Sequence, residues 1–175
     1  DNWLSFATTV TNATVTGNIV HDIIDERTRS AVGILVAGVG TPSNNVIANN
    51  MIHNVRSNGT SGEQGVGIAI HTGNGDKVVF NSIRMEGDID TVGSTTGTGS
   101  NVGIRVNSAT NLTLKNNIIF VDLTSNTGTL NHYAIVAPSS FFFLGGTGGL
   151  NYNNYYVNAS NPQMRLGGIG TTIPY

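Results

Sequence analysis

Short aliphatic runs alternate along this chain with corners of Asn, Gly, Ser and Thr, and no stretch repeats its apolar residues at helical spacing. Val46-Ile47-Ala48 reads as a strand, Asn49-Asn50 as a sharp corner, and Met51-Ile52-His53-Asn54-Val55 as a second strand. A variable stretch rich in Gly, Ser and Thr follows. Val66-Gly67-Ile68-Ala69-Ile70 is the third strand.

This three-strand unit recurs. Gly17-Asn18-Ile19-Val20-His21 aligns with Asn49-Asn50-Met51-Ile52-His53, then with Asn81-Ser82-Ile83-Arg84, Asn116-Asn117-Ile118-Ile119 and Asn153-Asn154-Tyr155-Tyr156. A second signature interleaves with the first: Val32-Gly33-Ile34, Val66-Gly67-Ile68, Val102-Gly103-Ile104 and Tyr133-Ala134-Ile135. A unit of three short strands cannot bury its apolar side alone. Units stacked about 4.8 Å apart pair every strand with its copies above and below. This alignment predicts an inward column of Ile19, Met51, Ile83, Ile118 and Tyr155. It also predicts a corner column of Asn18, Asn50, Ser82, Asn117 and Asn154. Asn tolerates the left-handed backbone of a tight corner and can hydrogen-bond along the stack, so one residue type is expected to serve both needs.

The Asn-Asn-x-Ile corners and Val-Gly-Ile strands resemble the right-handed parallel β-helix repeat proteins of the pectate-lyase-like superfamily. The resemblance covers roughly residues 12–158. It implies an all-β, right-handed parallel β-helix (β-solenoid) of about five coils. The family includes polysaccharide lyases and hydrolases, tailspikes, adhesins and surface proteins, and no member's catalytic motif is matched here. The expected organisation is a single domain over residues 1–175, with 1–11 as a partial N-terminal cover and 160–175 as a partial final coil.

Composition agrees with strands and turns. Charged residues are only 10% of the chain, while Gly and Asn each number 23. Glu, Lys and Gln are too scarce to solvate a helical bundle. Eight Lys and Arg, never clustered, argue against nucleic-acid binding. No apolar run approaches the roughly 20 residues of a membrane span. There is no Cys, hence no disulfide, thiol nucleophile or Cys-ligated zinc. A start at Asp1 without a signal-peptide pattern is what a processed chain or an excised piece would show.

Chemistry, where it exists, gathers in the first three repeats. His21 aligns with His53, Asp22 with Asn54 and Glu86, and Arg56 with Asp88, while Arg84 falls beside Glu86. His21, Asp22, His53, Arg56, Arg84 and Glu86 are therefore the candidate ligand-binding strip, beside the variable stretches 25–30, 56–65, 88–101 and 124–131. Surface salt bridges at a loop edge are the plainer reading of the same residues. No catalytic set is assigned. Asp88-Ile89-Asp90 and Asp22-x-x-Asp25-Glu26 could offer oxygens to calcium, but neither spacing demands a metal, and no cofactor is expected. His71 and His132 read as polar strand-end residues, and Gly73-Asn74-Gly75-Asp76 as a hairpin-like turn. Trp3, Tyr133, Tyr152, Tyr155 and Tyr156 lie away from the strip in sequence, so aromatic groups are expected to be scarce there. The expected role is that of a secreted or cell-surface module in structure, adhesion or glycan binding. Its partners would be an extracellular polysaccharide, neighbouring β-helix modules or copies of itself. A polysaccharide lyase or glycoside hydrolase is the alternative.

Overall fold

The computed structural model describes residues 10–26, 29–37, 42–59, 64–90, 99–125, 130–138 and 150–170, which form an all-β parallel solenoid of about four turns. Sheet A stacks the short strands β1 (Thr14–Thr16), β4 (Val46–Ala48), β7 (Lys77–Val79), β10 (Thr113–Lys115) and β13 (Leu150–Asn151). Sheet B stacks β2 (Ile19–Asp25), β5 (Met51–Ser57), β8 (Ser82–Asp88), β11 (Ile118–Thr124) and β14 (Asn154–Val157). Sheet C stacks β3 (Ala31–Ala37), β6 (Gly65–Asn74), β9 (Val102–Thr110), β12 (His132–Ala137) and β15 (Met164–Ile169). The expected N-terminal cover around Trp3, Leu4 and Phe6 lies outside the described residues, as does the apolar run Phe141 to Leu144. In the expected final coil, β15 pairs in register with β12.

The core is built of like residues on like residues. Sheet A contributes Val15, Ile47, Val78, Leu114 and Leu150. Sheet B contributes Val20, Ile52, Ile83, Ile119 and Tyr155. Sheet C contributes Ile34, Ile68, Ile104 and Ile135. The predicted inward column is thus only partly correct. Ile83 and Tyr155 face inward, but Ile19, Met51 and Ile118 point outward and are 66%, 52% and 56% exposed, against 2% for Ile83. The reason is register. Met51 pairs with Ser82, not Ile83, and Ile118 pairs with Ser82 and Asn154. A slip of one residue moves a side chain to the opposite face of a strand.

The corner between sheets A and B explains the slip. Its ladder is Asn18, Asn50, Asn81, Asn117 and Asn153, so Ser82 and Asn154 are each one residue beyond it. The first four each donate backbone N–H and Nδ2 to the Oδ1 of the next rung, as from Asn50 to Asn81 at 3.0 Å for both, and from Asn81 to Asn117 at 2.9 and 3.0 Å. Nδ2 also reaches back to a backbone carbonyl of the preceding coil, as from Asn81 to Ile47 at 3.0 Å. The left-handed backbone belongs to the preceding residue: Gly17, Asn49, Phe80, Asn116 and Tyr152 have φ between 54° and 71°. Corner and ladder are therefore separate jobs, done by consecutive residues. Phe80 and Tyr152 take the strained position although aromatic residues rarely do, and they hid the true corner from a search for Asn pairs.

The glycines of the second signature are positions of close approach. A Cβ on Gly103 would lie 2.5 Å from Ile119 Cγ2 and 2.6 Å from the Ala134 carbonyl. Small residues here let sheet C sit against the inward column of sheet B. Gly73 to Asp76 is a coil corner between β6 and β7 rather than a hairpin, because the strands it joins belong to different parallel sheets. His132 begins a strand, as expected, but is fully buried. Its Nδ1 accepts the Asn101 N–H at 3.1 Å, and burial holds the imidazole down at about 4. His71 is exposed and meets Asn107 Nδ2 at 3.1 Å.

Candidate ligand groove on the outer face of sheet B

The inward residues of sheet B alternate with outward ones, most regularly in β8, where exposed Ser82, Arg84 and Glu86 flank buried Ile83 and Met85. Parallel register then turns outward positions into columns. The first is Ile19, Met51, Ser82, Ile118 and Asn154; the second is His21, His53, Arg84, Phe120 and Tyr156. Next to them lies a polar row in which Glu86 and Asp122 are register partners. A groove of about 1510 Å³ runs over this face and is lined by residues of all three rows, among them Met51, His53, Arg84, Glu86, Phe120 and Asp122.

The second column consists of flat groups stacked one per rung. The rings of His21 and His53 are 5.0 Å apart and inclined by 4°. Phe120 and Tyr156 are 4.7 Å apart and inclined by 3°. Between the two pairs, the Arg84 guanidinium lies 5.7 Å from the centre of the Phe120 ring, within cation–π range. Strand spacing of about 4.8 Å alone brings the rings to stacking distance. The expected scarcity of aromatic groups is thus overturned. Phe120 and Tyr156 are far from His21 in sequence but occupy the same row, and only the correct register reveals it.

Hydrogen bonds fix the polar side chains. His21 Nδ1 and Asp22 Oδ2 are 2.8 Å apart, and Asn54 Nδ2 donates to Asp22 Oδ1 from the next rung. The Asn54 bond first, then the His21 bond and the nearby imidazoles, hold the Asp22 carboxyl below the usual carboxylate range. Asp22 and Asn54 both have left-handed backbones, so each is an extra residue that aims its short side chain outward. Arg84 donates from Nε and Nη2 to Glu86 Oε2 at 3.0 and 2.8 Å. Asp122 accepts from Asn158 at 3.2 Å and from Asn161 at 3.5 Å.

All six residues singled out in the sequence lie on sheet B. Asp22, His53, Arg56, Arg84 and Glu86 line the groove, and His21 stacks on His53. On the following rung, Glu86 is level with Asp122 and Asp88 with Thr124; on the preceding one, His53 is level with Arg84. Phe120, Asp122, Asn158 and Asn161 were missed, and an alignment anchored on Phe80-Asn81 would have found Phe120 and Asp122. Among the described residues, no three His, Asp or Glu side chains are placed to hold a metal ion.

What this geometry offers is an elongated face with one set of hydrogen-bonding groups per rung beside a row that is apolar at Ile19, Met51 and Ile118. No protein-family model, curated protein or solved structure matches the chain. The class of protein is therefore given by the fold itself, a parallel β-solenoid with a groove along one sheet.

Proposed function

We propose that the chain is a secreted or cell-surface glycan-binding module, akin to the pectate-lyase-like β-helix proteins, whose groove on sheet B takes an extended saccharide along the solenoid axis. The observation that carries this reading is the periodic groove. Each rung brings a hydrogen-bonding group to the same face: Asp22, Asn54, Glu86, Asp122 and Asn158. Consecutive rungs are about as far apart as consecutive sugar rings in an extended chain. The carboxylates and amides accept and donate to hydroxyls, and Met51, Ile118 and Phe120 receive the apolar faces of the sugar rings.

Isothermal titration against neutral and acidic oligosaccharides of increasing length tests it. Affinity should rise with length until the groove is filled. Asp122→Ala and Phe120→Ala should each weaken binding about tenfold or more, equivalent to ~1.4 kcal/mol. Length-independent or absent binding across the panel refutes the reading.

A second reading, hydrolysis or lyase cleavage, is favoured by one observation, the register pairing of Glu86 with Asp122. Carboxylates on adjacent rungs stand at about the 5 Å separation of a retaining glycosidase pair. Release of reducing ends or of unsaturated product by the parent, and its loss in Glu86→Gln and Asp122→Asn, would establish it.

A further inference from the structure

The corner between sheets A and B holds two residues that folding alone does not explain. Phe80 has a φ of 58°, in the left-handed region that strains a bulky side chain and that Gly and Asn adopt readily. Gly17, Asn49 and Asn116 fill the same position in three other coils. Phe80 is also 56% exposed, although it lies in the third coil with a coil on either side, so burial does not offset its strain. Its backbone is held without the side chain, by its N–H to the Lys115 carbonyl at 3.2 Å. Tyr152 repeats the combination in the fifth coil, with a φ of 55° and an exposed ring. Strained residues that packing does not explain gather where a ligand is met.

The neighbouring outward column shows what the two rings replace. It reads Ile19, Met51, Ser82, Ile118 and Asn154. Where this column is polar, at Ser82 and Asn154, the corner two residues earlier is aromatic. Where the corner is Gly17, Asn49 or Asn116, the column is Ile19, Met51 or Ile118. Every coil thus shows one large apolar side chain along one edge of the groove: Ile19, Met51, Phe80, Ile118 and Tyr152, all of them exposed. We infer that Phe80 and Tyr152 are further saccharide-binding residues, flat platforms that extend the groove from sheet B onto the corner. The inference rests on the saccharide reading of the groove and names the class of chain it takes. The two rings stand two strand spacings apart, about 10 Å. In an extended β-linked chain with a two-fold twist, every second sugar ring presents the same face. Two platforms at that interval receive equivalent faces, with sugar C–H groups against the electron-rich face of each aromatic ring.

Titration calorimetry with the extended chains cellohexaose and mannohexaose and the helical, α-linked maltohexaose tests the inference, together with melting curves. Asn already occupies this corner in two other coils, so Phe80→Asn and Tyr152→Asn should melt at or above the temperature of the parent. Each should bind the better of the two β-linked probes about tenfold more weakly than the parent does. Phe80→Tyr, which keeps a flat ring, should bind as the parent does, and maltohexaose should bind the parent more weakly than either β-linked probe. A Phe80→Asn variant that melts several degrees below the parent overturns the inference, because the ring would then serve the fold. Asn variants that bind like the parent, while Asp122→Ala binds more weakly, overturn it and leave the groove reading standing. A parent that prefers maltohexaose overturns it as well. A parent that binds none of the three also overturns it, and the groove reading falls with it only if acidic oligosaccharides fail too.

Discussion

Replacing Asn81 with Ala takes out the middle of the corner ladder, and its cost can be worked from the structure. Asn81 is 1% exposed. Its Oδ1 accepts from Asn50 N and Asn50 Nδ2, both at 3.0 Å, and its Nδ2 donates to Ile47 O and Asn117 Oδ1, also at 3.0 Å. Asn50 Nδ2 keeps a second acceptor in Val15 O, and Asn117 Oδ1 keeps the Asn81 N–H. The buried Asn50 N–H keeps nothing. Losing bonds whose net worth is about 1 kcal/mol each and stranding that donor gives an expected destabilisation of about 3–4 kcal/mol. Asn18→Ala is the matched control. It removes two bonds from an exposed residue and should cost about 0.5–1 kcal/mol. Asn81→Asp goes further, since it keeps the acceptor but turns the donor into a carboxylate oxygen facing three other acceptors, Ile47 O, Val79 O and Asn117 Oδ1. Its folded-state pKa must lie above the unfolded value, so its deficit relative to the parent should shrink as pH falls and the carboxyl is protonated. Urea unfolding followed by circular dichroism measures all three. Equal losses at positions 18 and 81, or a loss below about 1 kcal/mol at 81, would falsify the ladder as a main support of the stack.

Four further outcomes are expected. Ile83→Asp should cost several kcal/mol, whereas Met51→Asp, on the outward face of the neighbouring strand, should cost about 0.5 kcal/mol or less; similar melting temperatures would contradict the assigned register. Gly103→Ala should cost about 1–3 kcal/mol, because the new Cβ meets Ile119 Cγ2 and a backbone oxygen, and an unchanged melting curve would show that sheet C has room to move. His132 takes up a proton near 6.5 when unfolded but near 4 when native, so the unfolded state binds more protons between those values; stability should fall by up to ~3 kcal/mol as pH drops from about 6.5 to about 4, and His132→Asn, which keeps an acceptor for the Asn101 N–H, should flatten that slope in urea titrations. Glu86→Ala should change stability by no more than about 0.5 kcal/mol, because its bonds to Arg84 are exposed, so any larger effect on saccharide binding would belong to the groove.

The three-strand unit, its repetition and the parallel stack are legible along the chain without coordinates. Those follow from local preferences, short β-rich runs between Asn and Gly corners, repeated often enough that only stacking can bury them. The same pattern also gathers His21, Asp22, His53, Arg56, Arg84 and Glu86 on one sheet, because neighbours one coil apart need only an approximate repeat to be brought together. Which face each residue takes was decided by tertiary structure. The coils differ in length, with ladder neighbours 32, 31, 36 and 36 residues apart, and a single residue inverts a strand's faces. Asn81 holds its place because the ladder above and below requires an amide there, and that requirement forces Phe80 into a left-handed backbone it would not choose alone. Ile19, Met51 and Ile118 are thereby turned out to solvent, and Phe120 and Tyr156 are carried into line with two histidines and an arginine from distant coils. The strand spacing that stacks those five flat groups is a property of every parallel sheet; which side chains it stacks depends on a register that only the assembled stack fixes.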